Sequence, residues 1–72
     1  MTSIELENYY REHLEEDIIF CLSVRRGIAL EEAMRLYYNS KLAKMIYDGV
    51  EGIQYLDFKV LTNYLEEELQ QS

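Results

Sequence analysis

Apolar residues recur along this chain in steps of three and four, the spacing that gathers side chains onto one face of an α-helix. Leu6, Tyr10, Leu14, Ile18, Cys21 and Leu22 form the first such row, and Ile19, Phe20 and Val24 widen it. Between Ile18 and Val24 the helix is apolar nearly all round, so cover is expected on more than one side. The row predicts a helix from Ser3 to Arg26. Thr2 or Ser3 can cap its start, and Thr2 with Glu5 three residues on offers a capping box, each side chain accepting from the other residue's backbone amide. Arg25 and Arg26 complement the helix dipole in its last turn, and Gly27 suits the left-handed residue that ends many helices.

The pattern resumes near Leu30, where a second helix is expected with Leu30, Ala33, Met34, Tyr37 and Tyr38 inward. Asn39 and Ser40 are poor inside helices and good at caps. A third helix therefore starts at Ser40 and carries Leu42, Ala43, Ile46 and Tyr47 inward until Asp48-Gly49 stops it; one continuous helix from Leu30 to Tyr47 is the alternative. Gly49 to Gly52 reads as a loop. Asp57 then caps a last helix over Phe58 to Leu69, with Phe58, Leu61, Tyr64, Leu65 and Leu69 on one face. Glu66, Glu67 and Glu68 lie near its C-terminal end, where the dipole disfavours acids, so fraying is expected there. The fold class that follows is all-α: a single domain, 1–72, built as a compact bundle of three or four helices with the first the longest.

Size adds a constraint. In a chain of 72 residues, one core seldom supplies more than about 3 to 5 kcal/mol of net stability, so a further source is expected. Cys21 is the one cysteine and His13 the one histidine, which excludes an internal disulfide and a four-ligand nitrogen and sulfur zinc site from one chain. Self-association or a protein partner remains, and a homodimer is the expected form. No cofactor and no metal is expected. The start of the chain lacks the charged and apolar segments of a secretory signal, and the longest apolar run, Ile18 to Leu22, is five residues long. A membrane span needs about 20. A soluble, cytoplasmic protein is the expectation.

Charge is unevenly placed. Residues 1–17 hold six acids against Arg11, residues 25–44 hold Arg25, Arg26, Arg35, Lys41 and Lys44 against Glu31 and Glu32, and the remainder is acidic again. This layout lets the ends attract the middle, within one chain or between copies. The net charge of −7 opposes binding to nucleic acid. A helix-turn-helix regulator that uses the basic middle is nonetheless the alternative function, although the helix after the break, Lys41 to Tyr47, is mostly apolar where a reader needs exposed polar residues.

Candidate chemistry is sparse. His13, Asp17 and Cys21 follow one helical line, but His13 and Cys21 are eight residues apart, about 12 Å along the axis, too far for a nucleophile and its base. The acids at 15–17 and 66–68 point different ways round their helices and read as solvated faces. Asp48 to Gly52 has only a trace of a calcium loop. No enzyme is expected.

Tyrosine is the abundant functional type, with seven copies and no tryptophan. Its large ring and polar tip suit contact surfaces. Adjacent helical residues lie ~100° apart, so Tyr9 with Tyr10 and Tyr37 with Tyr38 cannot both face a narrow core. Tyr9, Tyr10, Tyr37, Tyr38, Tyr47 and Tyr55 are the candidate partner-binding residues, and the function they point to is a non-enzymatic protein–protein interaction module.

The segment Tyr37 to Gly49, followed by Gly52-Ile53-Gln54-Tyr55-Leu56-Asp57, resembles short bacterial proteins of unknown function, some of them in gene clusters that look like toxin and antitoxin pairs. The resemblance covers the C-terminal half and implies no catalytic residue. It implies an antitoxin-like or regulatory subunit.

Overall fold

The computed structural model describes residues 2–71. They form four α-helices, α1 (Ser3–Arg26), α2 (Leu30–Tyr38), α3 (Lys41–Asp48) and α4 (Phe58–Gln71), with a 3₁₀ segment, Val50–Tyr55, between the last two. No strand occurs among the described residues. The all-helical class and the long first helix are as expected. Local chemistry explains the ends of α1: Thr2 accepts from the Glu5 amide and Glu5 from the Thr2 amide, both at 3.2 Å, and Gly27 closes the helix in the left-handed conformation.

The chain divides at Asn39 and Ser40, giving two helices rather than one. Ser40 is the reason. Its hydroxyl accepts from the Ala43 amide and donates to the Tyr37 carbonyl, so it starts α3 and closes α2 together. The expected loop after Gly49 is instead two short 3₁₀ turns, separated where Glu51 and Gly52 take left-handed dihedrals.

The core sits where α1 packs on α2 and α4, with α3 closing it against α2 and α4. Its buried apolar residues are Leu14, Ile18, Ile19 and Leu22 of α1, Ala33 and Tyr37 of α2, Leu42, Ala43 and Ile46 of α3, and Leu61 and Leu65 of α4. Several residues expected inward lie outside: Leu6 and Tyr10 before the core begins, Leu30, Met34 and Tyr38 on the outer side of α2, and Tyr47 and Tyr64 on α3 and α4. Cys21 is half-buried at the core edge. Phe20 and Val24 are 61% and 65% exposed, so the cover expected all round this part of α1 stops short of them. No helix among the described residues is long and apolar enough to cross a membrane.

Charge closes what burial leaves open. Glu66 pairs with Arg25 at 3.1 Å and approaches Arg26 at 3.9 Å. Arg25 also donates to the Asn63 side chain at 2.6 Å. Glu68 caps α3 from a distance in sequence, accepting from the Lys41 amide at 2.8 Å and the Leu42 amide at 3.2 Å. Two of the acids that looked misplaced on α4 thus reach the middle of the same chain, Glu66 through the Arg25 and Arg26 side chains and Glu68 through backbone amides, and the helix extends to Gln71.

Inside, the Tyr37 hydroxyl donates to Glu15 Oε2 at 2.8 Å. Burial first, and then this carboxylate, push the Tyr37 phenol far above its ordinary pKa. Tyr38 is raised as well, by burial and by the charges of Glu15, Glu16 and Glu12. An unfolded tyrosine ionises near 10. With the folded values higher, the associated stability is intact below about pH 10 and declines as pH rises beyond it.

Two stability predictions follow from these contacts. Tyr37→Phe should cost about 1 to 2 kcal/mol, because Glu15 loses a donor in a partly buried place, and should flatten the alkaline fall in urea midpoint above about pH 10. Glu68→Ala should cost about 1 to 2 kcal/mol through the lost cap of α3, whereas Glu67→Ala, on the exposed side, stays within about 0.5 kcal/mol in the same urea melts.

Candidate partner-binding surface

A helix of 24 residues runs about 36 Å at 1.5 Å per residue. Its first buried side chain is Leu14, so its N-terminal half extends past the core. There it meets the end of α3 and the 3₁₀ segment across an open groove of about 490 Å³. Leu6 and Ile46 contribute apolar lining, and Tyr10, Tyr47 and Tyr55 contribute aromatic walls. These three rings are 44%, 68% and 65% exposed. Tyr10 and Tyr55 lie 5.8 Å apart between centroids, tilted by 43°, which ties α1 to the 3₁₀ segment. Aromatic pairs favour such offset geometries.

Polar groups punctuate the groove. Glu7 and Asp48 are its acids. The Arg11 guanidinium sits over the Tyr47 ring, with Cζ 4.8 Å from the centroid. Gln54 also lines it, and its Oε1 is buried without a hydrogen-bond partner. Backbone geometry makes room for that amide: a Cβ on Gly49 would stand 3.3 Å from Gln54 Nε2, and Gly49 has φ +67°.

Of the expected contact residues, the structure brings Tyr10, Tyr47 and Tyr55 together. Tyr38 stands 56% exposed beside a neighbouring concavity that shares Arg11, Tyr47 and Asp48 with the groove. Tyr9, equally exposed, turns outward along α1 and packs its ring on His13 at 4.3 Å. Tyr37 must be withdrawn from the contact set. Its side chain is fully buried, because it fills the centre of the core and spends its hydroxyl on Glu15. Sequence reasoning missed Arg11, Gln54, Glu7 and Asp48 as groove residues. The Leu6-Tyr10 and Glu7-Arg11 spacings of four hinted at a shared helical face, but nothing local placed α3 and the 3₁₀ segment opposite it.

Comparison with protein-family models, with curated proteins and with solved structures gives no match for this chain.

The backbone at the groove is open to a direct check. Gly27→Ala meets no atom within 4 Å and carries only the left-handed cost, about 1 to 2 kcal/mol. Gly49→Ala carries that cost and also crowds Gln54, so its urea midpoint should fall further than that of Gly27→Ala.

Proposed function

We propose that this chain is a non-enzymatic protein–protein interaction module, in concrete form an antitoxin-like or regulatory subunit of the cytoplasm, and that it meets its partner through the tyrosine groove. The observation that carries this reading is the convergence of Tyr10, Tyr47 and Tyr55 on one concave, solvent-open surface. Exposed aromatic rings around a cavity leave apolar area in water that a partner would remove. Tyrosines also lose little conformational freedom on binding, since each has few rotatable bonds. The acids Glu7 and Asp48 favour a basic surface on the other side.

A second copy of the chain is one form such a partner can take. The expectation of a homodimer draws support from Phe20 and Val24, which one protomer leaves exposed on the outer side of α1. The competing reading, a small helix-turn-helix regulator, needs Arg25, Arg26, Lys41 and Lys44 free on one face. The ion pairs of Arg25 and Arg26 with Glu66 weigh against it.

Site-specific photo-crosslinking tests the reading. A photoreactive phenylalanine analogue at position 47 or 55 of the full chain, expressed in cells, should give adducts of discrete mass, and the same analogue at position 64 should not. A mass twice that of the chain would identify a second copy as the occupant. No adduct at 47 and 55, or equal adducts at 64, would overturn the proposal.

A further inference from the structure

We propose that the groove receives an arginine side chain of the partner protein, and that Arg11 is its internal stand-in. The inference rests on the interaction-module reading and adds to it the chemistry of the group recognised. Two features point to a cationic, donor-rich occupant. The first is Arg11 itself. Its guanidinium lies over the Tyr47 ring at 4.8 Å, so the groove already holds the group in question against an aromatic face. Ring faces attract cations through their negative quadrupole, and guanidinium is the commoner partner.

The second feature is the acidic pair. Glu7 and Asp48 line the same groove, and neither belongs to an ion pair among the described residues. With Arg11 counted, Glu7 and Asp48 still leave the groove net negative, so a basic occupant is favoured over an acidic one. An arginine brings five N–H donors and no acceptor, which suits a groove lined by two carboxylates outside any ion pair among the described residues.

Arg11 is suited to yield its place. It takes part in none of the ion pairs among the described residues, so it is held by a ring face rather than by a carboxylate. It also borders the neighbouring concavity, which Glu12 and Glu15 line. A guanidinium displaced from the Tyr47 ring by the incoming one meets three carboxylates there, Glu12, Glu15 and Asp48, against the cation Lys44; Glu15, which accepts from Tyr37 through Oε2, stands four residues along the same helix. Occupation by Arg11 therefore acts as competition: the partner sees only the fraction of molecules in which the ring is free.

The test is an NMR titration of the labelled full chain with a short peptide carrying one arginine between leucines, and with the same peptide carrying neutral citrulline instead. The arginine peptide should move the ring resonances of Tyr10, Tyr47 and Tyr55, and the citrulline peptide should not. Arg11→Ala should bind the arginine peptide more tightly, by about tenfold if Arg11 covers the ring nine-tenths of the time. The double variant Glu7→Gln, Asp48→Asn should bind it more weakly. Equal binding of the two peptides, or no gain in Arg11→Ala, would overturn the inference while crosslinked adducts at positions 47 and 55 kept the docking groove intact. Loss of those adducts would instead remove the broader reading.

Discussion

A helix can be buried only along the length its neighbours cover. Here α1 has 24 residues while α2 and α3 have nine and eight, so cover runs out before α1 does. Everything distinctive about the surface comes from that mismatch. The row Leu14, Ile18, Ile19 and Leu22 is enclosed because α2 and α4 lie beside it. Leu6 and Tyr10 continue the same helical row but meet only the end of α3 and the 3₁₀ segment, across a gap. The groove is the place where one amphipathic stripe outlasts its partners.

Short helices also need help at their ends, and the acidic tail supplies it. An eight-residue helix has as many unsatisfied amides at its start as a long one, so α3 gains disproportionately from Ser40 and from the Glu68 carboxylate. Glu66, two residues before Glu68 on α4, meanwhile ties that helix to the last turn of α1 through Arg25 and Arg26. Exposed pairs of this kind are individually worth about 0 to 1 kcal/mol. They also help set how α4, which carries Leu61 and Leu65 into the core, lies against α1. Of the acidic ends, Glu66 is the residue that forms ion pairs with the basic middle among the described residues.

The sequence revealed whatever depends on neighbours a few residues apart. Thr2 with Glu5, Gly27, Ser40 and Asp57 act over one turn of backbone, and the helix boundaries they imply lie close to those observed. It was misleading where burial depends on what lies opposite. Phe20 and Val24 are as apolar as Ile19, and spacing alone does not say which side receives a neighbour. Tyr37 and Tyr38 are chemically identical, and the choice between them rests on Glu15, 22 residues earlier and reached only through the fold. Tyr47 and Tyr55 were legible as surface candidates, but their meeting with Tyr10 was not, since it needs the 3₁₀ segment to turn back through the left-handed Glu51 and Gly52.

The late start of burial on α1 has a consequence for how the groove behaves over time. From Ser3 to His13 no side chain is buried, so these turns are held by their own amide ladder, the box at Thr2 and Glu5, the ring contact of Tyr10 with Tyr55 and the Arg11 guanidinium over Tyr47. Segments with so little apolar anchorage sit at the low end of local unfolding free energy. One bank of the cleft can therefore melt and re-form while the rest of the protein stays folded. Whatever docks there must also meet the entropy of freezing that bank, so helix-favouring changes far from any contact would sharpen recognition.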